Sequence, residues 1–154
     1  MDKLTKKQRS ECMSHIKGKN TGLEKIFRKS VSGLGIRGYR LNAKAPGRPD
    51  MYFSKRRIAV FIDGCFWHGC PRCASFPATN IKFWKDKIKN NQKRDRAVSK
   101  ELHNNDFWVI RFWGHDIKNN PDRCAEKLLS LLRERINKAS LKPKSALKYE
   151  WYEN

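Results

Sequence analysis

Residues 58–73 read IAVFIDGCFWHGCPRC, and the fold turns on how that stretch is divided. The apolar run Ile58–Ile62 reads as a buried strand. Beyond Ile62 the composition changes to loop chemistry, with Asp63, Cys65, Phe66, Trp67, His68, Cys70 and Cys73 packed into eleven residues. A buried strand has no use for Cys-x4-Cys-x2-Cys, and a plain zinc knot has no use for Phe66-Trp67-His68. The stretch therefore reads as a metal-stapled loop that carries an active site.

Three thiolates fall one short of a tetrahedral structural zinc. His115, about forty residues beyond Cys73 at the end of another apolar run, is the natural fourth ligand, with Asp63, His68 and Cys124 as alternatives. Cys3His is a closed structural set with no position left for catalysis. Such an ion can hold Phe66 and Trp67 outward, where aromatic faces stack on bases for roughly 1–3 kcal/mol each. The same spacing also allows both rings to pack beneath the loop.

On the N-terminal side, Ala45-Pro-Gly-Arg-Pro-Asp50 is a rigid turn into a strand at Met51–Phe53. It sets Asp50 at a strand entrance, a suitable place for a metal-holding carboxylate. The basic hairpin Ser54–Arg57 then returns the chain to the core strand, so that Asp50 and Asp63 can approach on neighbouring strands. Further back, Gly38–Leu41 has the form of an edge strand. A helix from about Gly22 to Ser32 is capped by Asn20 or Thr21, presents Leu23, Ile26, Phe27 and Val31, and ends at Gly33 and Gly35. Glu24 is its single acid, and composition alone makes it a solvated partner of a lysine. Lys3–Ile16 is a basic helix, either packed on the surface through Met13 or lying on DNA with Met13 as a wedge.

On the C-terminal side, Asn80 to about Asn105 has helical period, with Ile81, Trp84, Ile88, Val98 and Leu102 as the inner stripe. Asp95 lies in its basic middle, where Arg94 and Arg96 can orient it. Phe107–Trp113 is an aromatic strand that delivers Gly114-His115, and Pro121 opens a helix to about Lys138. The order helix, strand, strand, helix, strand, helix predicts an α/β domain with a mixed central sheet flanked by helices. Residues 1–20 form an N-terminal arm, 21–138 the main domain, and 139–154 a tail with no assignable role.

The chain has 154 residues and a formal charge of +20, from 35 basic and 15 acidic side chains. Such an excess points to a polyanionic partner, nucleic acid before an anionic membrane surface. No apolar run is long enough to span a membrane. A cytoplasmic, nucleoid-associated monomer is expected. Its five cysteines fit metal or thiol chemistry better than disulfides, and Cys12 and Cys124 stand alone as structural residues.

The motifs Pro46-Gly-Arg-Pro-Asp50, Phe61-Ile-Asp-Gly-Cys-Phe-Trp-His-Gly-Cys-Pro71 and Pro77-Ala-Thr-Asn80 resemble the very short patch repair (Vsr) endonucleases. Phe83-Trp84, Lys87-Ile88, Asn91 and Arg94-Asp95 extend that resemblance in the same order, over roughly residues 8–135. The resemblance implies a PD-(D/E)xK restriction-endonuclease-like core that nicks one DNA strand beside a T:G mismatch. It also implies catalytic Mg2+ and a structural Zn2+. Such mismatches arise when 5-methylcytosine deaminates, which implies a cognate cytosine methyltransferase and mismatch-repair proteins as associates. By the same resemblance Asp50 binds Mg2+ with the backbone carbonyl of Ile62, and His68 is the catalytic histidine. Glu24 and Asp95 take supporting acidic positions, near the metal waters and beside the histidine respectively. Phe66, Trp67 and Trp84 match aromatics wedged beside the mismatch, and Met13 matches a residue reaching in from the minor groove. Arg48, Lys87, Asn91 and Arg94 are expected on the DNA.

Two positions depart from the pattern. The best-described member of the family has histidine where this chain has Asp63, which leaves Asp63 as a metal ligand, a partner of His68 or a structural acid. Cys70 and His115 fall where that member has histidine and cysteine, an exchange that keeps the ligand set chemically sound. Two other readings compete with mismatch nicking. One is a PD-(D/E)xK nuclease with a non-mismatch target, and the other is a non-catalytic zinc-stapled DNA-binding protein.

Overall fold

The computed structural model describes residues 20–140, together with Gln8, Glu11 and the backbone of Tyr149–Trp151. The expected basic N-terminal helix, Cys12, Met13 and most of the tail lie outside the described residues.

Helix α1 (Gly22–Gly33) starts where the sequence offers a complete capping box. The Thr21 hydroxyl accepts from the Glu24 amide, and the Glu24 carboxylate accepts from the Thr21 amide at 3.1 Å. Glu24 is thus a cap and not the partner of a lysine. The helix buries Phe27 and Val31 and closes at Leu34, with the positive φ falling at Gly35 and not at Gly33.

Strands β1 (Met51–Phe53) and β2 (Ile58–Asp63) pair antiparallel across the Ser54–Arg57 turn. After a single helical turn, α2 (Cys65–His68), and the long helix α3 (Ile81–Asn104), strand β3 (Trp108–Trp113) lies parallel to β2. The short α4 (Gly114–Asn119) and α5 (Pro121–Ser140) come next, and β4 (Tyr149–Trp151) joins the far side of β3 in parallel. The order β1-β2-β3-β4 makes the sheet mixed, as expected.

Alternation along β2 assigns the two faces. Ile58 and Val60 pack with Phe27, Val31, Leu128 and Leu132 from α1 and α5, while Ala59 and Phe61 pack with Leu102 of α3. All six residues of β3 are buried, as a strand covered on both faces requires. The expected edge strand at Gly38–Leu41 reduces to one bridge, Arg40 to Tyr52. The stripe of α3 holds at Ile88 and Leu102, but Ile81 in its first turn is 45% exposed because that turn runs past the core. No helix among the described residues is long and apolar enough to cross a membrane.

The register of β2 and β3 ends on the pair Asp63 and Trp113. Both strands therefore release their chains at one edge, the usual site-forming edge of a parallel pair.

Candidate active site and metal centre

Cys65 lies two residues past the end of β2, and His115 two residues past the end of β3. Together with Cys70 and Cys73 they place their ligand atoms within 4.8 Å of one another, the one such cluster among the described residues. His115 Nδ1 is 3.3, 3.6 and 3.3 Å from the sulfurs of Cys65, Cys70 and Cys73. Ideal tetrahedral Zn–S and Zn–N bonds set a ligand separation of about 3.5 Å. The His115 nitrogen thus stands from each of the three sulfurs at about the spacing that a shared zinc ion needs. Behind the ring, His115 Nε2 lies 3.2 Å from the buried Asp116 carboxylate, close to it but not hydrogen-bonded. Of the rivals for the fourth position, Asp63 and His68 are occupied elsewhere, and Cys124 is buried in the main core.

Beside this cluster opens a cleft of about 1150 Å³ whose lining includes Glu24, Arg48, Asp50, His68, Arg94 and Asp95. Asp50 is tied to β2 by its backbone and its side chain. Its amide donates to the Val60 carbonyl at 2.9 Å, and its Oδ2 accepts from the Ile62 amide at 2.6 Å. Oδ1 makes no hydrogen bond among the described residues. Burial pushes the Asp50 carboxyl up to about 6, with Glu24 and Asp63 adding to the rise against the pull of the Ile62 amide and Arg111. A carboxylate so placed among other acids suits a cation, which would relieve the crowding.

His68 ends the short helix α2. Its Nδ1 lies 2.6 Å from Asp95 Oδ2 and 3.4 Å from Asp63 Oδ1. Burial alone would raise Asp95, but the hydrogen bond to His68 and the charges of Arg111 and Arg94 outweigh it and hold the carboxyl below its usual range. The polar face of α3 fixes the turn that carries His68. Asn91 donates to the Trp67 carbonyl at 2.8 Å, Gln92 donates to the His68 carbonyl at 3.1 Å, and Asp95 takes the ring.

Asp63 is 2% exposed and receives Arg111 through both oxygens, Nε at 2.6 Å and Nη2 at 2.7 Å. Of the three roles open to it, the geometry favours an acid paired with a buried arginine, close to His68. Arg111 Nη2 also stands 3.2 Å from Asp95 Oδ1. The guanidinium in contact with Asp95 therefore comes from β3, while the expected Arg94 adds a smaller charge effect. Sequence reasoning misses Arg111, Gln92 and Asp116. The one signal for Arg111 is a charge inside an otherwise apolar strand.

Phe66 and Trp67 neither stand free nor pack fully beneath the loop. They are half-buried and meet each other and Trp84 edge to face, with ring centroids 5.0, 5.2 and 6.0 Å apart. Lys87 Nζ sits 6.0 Å from the Trp67 ring and 5.8 Å from Phe83, which is 57% exposed. Arg48 holds a positive φ of 51° at the cleft, a strained geometry for a non-glycine residue.

Residues 1–74 match the family model described as DNA mismatch endonuclease Vsr. The chain is 38% identical over 138 residues to the type II nicking enzyme V.NmeDIP of Neisseria meningitidis serogroup C, covering 88% of this chain and 93% of that one. It is 39% identical over 141 residues to the type II nicking enzyme V.HpaIIP of Haemophilus parainfluenzae, covering 88% and 98%. Identity to the DNA mismatch endonuclease Vsr of Escherichia coli K12 is 34% over 137 residues, covering 88% and 85%.

Proposed function

The chain belongs to the DNA mismatch endonuclease Vsr family, and from that premise we propose that it nicks one strand of duplex DNA beside a T:G mismatch in a Mg2+-dependent reaction. The observation that carries this reading is the meeting of Asp50 and the His68–Asp95 pair in one cleft, with three half-buried aromatic rings around the turn that bears His68.

In this reading Asp50 and the Ile62 carbonyl would hold Mg2+, with Glu24 as a supporting acid. Held there, a divalent ion would supply charge stabilisation for the phosphate and the leaving 3′ oxygen and a lowered pKa for the attacking water. His68 moves the remaining proton. Its Nδ1 is committed to Asp95, so Nε2 is the atom that faces the reaction. Asp95 fixes the ring and balances the imidazolium when it forms. Cys65, Cys70, Cys73 and His115 hold a structural zinc that ties the His68 turn to the end of β3.

Recognition falls to the rings. Phe66, Trp67 and Trp84 stack against the mismatched step, which costs less to unstack than a paired one. Met13 would reach in from the other groove. Arg48, Lys87 and Arg94 neutralise phosphates, and Asn91 keeps its side-chain oxygen for the duplex while its amide holds the loop. The T:G lesion places the enzyme downstream of cytosine methylation and deamination.

The test is a nicking assay on end-labelled duplexes, T:G against matched C:G, with Mg2+ present or omitted. A Mg2+-dependent nick beside the mismatched T is expected, lost in Asp50→Ala and slowed roughly 10²–10⁴-fold in His68→Ala. Equal cutting of both duplexes would point instead to a nuclease without mismatch selectivity. Tight binding with no cutting would point to a binding protein.

A further inference from the structure

Arg111 is the group in this site that no part of the proposed chemistry uses. It lies in the middle of β3, 2% exposed, in a strand whose other five members are apolar. A buried cation is costly unless it is fully paired. Here it is held from three sides. Nε and Nη2 bind the two oxygens of Asp63 on β2, Nη2 reaches Asp95 on α3 at 3.2 Å, and its guanidinium carbon lies 4.8 Å from the centre of the Phe61 ring.

Both carboxylates held by Arg111 face one atom, His68 Nδ1. Asp95 Oδ2 approaches it to 2.6 Å, while Asp63 Oδ1 stays at 3.4 Å. Two carboxylates compete for one proton donor, and the guanidinium decides between them. It engages both oxygens of Asp63 in short hydrogen bonds and touches Asp95 only through Oδ1, which leaves Asp95 Oδ2 for the ring.

We propose that Arg111 is a positioning residue for strand cleavage: by clamping Asp63 and bracing Asp95, it directs His68 Nδ1 to Asp95 and so fixes the ring that transfers the proton. The inference rests on the reading of His68 as the proton-transfer group. A neutral pair of similar shape, Asp63→Asn with Arg111→Gln, removes both buried charges together and spares the fold an uncompensated ion. The exchange leaves the Phe66, Trp67 and Trp84 rings in place, and the two charges it removes act on Asp50 in opposite directions.

The experiment is a double-mutant cycle on single-turnover nicking of the T:G duplex by the zinc-loaded protein. The combined variant D63N/R111Q is expected to lower the rate of the chemical step about 10–100-fold, with the duplex Kd within about 2-fold and the unfolding temperature preserved. In an Asp95→Asn background the same two changes are expected to cost less than about 3-fold, because the route through Asp95 is already cut. A second variant, Arg111→Lys, keeps the positive charge but loses the three-way fork, and should also slow nicking at unchanged Kd. A D63N/R111Q protein that folds and nicks at the wild-type rate overturns the proposal. So does a loss that is undiminished in the Asp95→Asn background. If His68→Ala nicks normally in the same assay, the reading of His68 itself has failed, and that outcome is distinct from a failure confined to Arg111.

Discussion

At the scale of single residues, Asp50 sets chemistry against stability. Its carboxyl rises from an ordinary 3.8 to about 6 in the folded chain without an ion. The folded state therefore binds this proton more tightly than the unfolded state. Stability is lost as pH rises from about 4 to about 6, and the penalty is complete above that range. The shift is equivalent to roughly 3 kcal/mol at most. Asp50→Asn does not ionise and can still accept from the Ile62 amide. It is expected to stabilise the Mg2+-free protein by up to about 3 kcal/mol at pH 8 and by almost nothing at pH 4, while abolishing nicking. Urea unfolding at the two pH values checks this, and equal effects at both would show that the burial of Asp50 carries no charge penalty. Mg2+ affinity should likewise fall as pH drops below about 6, where a proton competes for the same oxygen. Asp50 is legible in the sequence because Pro46, Gly47 and Pro49 announce a fixed turn into a strand. Arg111 is not, since its partners are Asp63, 48 residues away on β2, and Asp95 on a separate helix. No local pattern encodes that meeting.

At the scale of elements, the turn that carries His68 is held by a neighbouring helix more than by its own length. One turn of helix cannot sustain itself in water. Helix α2 persists because Asn91, Gln92 and Asp95 grip Trp67 and His68 from α3. Gly69 makes the close approach possible, at φ +66°, and a Cβ there would stand 2.7 Å from Gln92 Nε2 and 2.8 Å from Ile88 Cγ2. Gly69→Ala is expected to destabilise the protein by about 1–3 kcal/mol and to slow nicking beyond what the stability loss explains. Thermal unfolding alongside nicking at a permissive temperature separates the two effects. If the activity of the folded fraction is unchanged, the grip of α3 on the turn is not what places His68. The elements themselves are largely readable from apolar runs and turn residues, as at Ile58–Ile62 and Asn80. Their pairing is less so, because a parallel partner about 50 residues downstream leaves no trace beside the strand it joins.

For the molecule as a whole, the charge of +20 and the wedge of aromatic rings should act separately. Affinity for matched and mismatched duplexes is expected to fall steeply and in parallel between about 50 and 200 mM salt, through counterion release. The ratio between the two should change little, since unstacking is not a phosphate contact. Binding isotherms at several salt concentrations would show this, and a ratio that collapses with salt would assign mismatch preference to charge. Stripping the Cys3His centre is expected to lower the unfolding temperature by about 5 °C or more and to stop nicking, with Zn2+ restoring both and Mg2+ neither. The placement of that centre has another outcome. Cys65 and His115 each lie two residues beyond the last aligned pair of β2 and β3. A slip of β3 by two residues along β2 would keep every side chain on its proper face, so burial alone discriminates poorly against it. The same slip would displace His115 by about 6.6 Å relative to the three thiols, beyond the reach of any shared ion. An ion captured by these four residues would thus proofread the alignment of the two strands, drawing the refolding population toward the one alignment that can hold it.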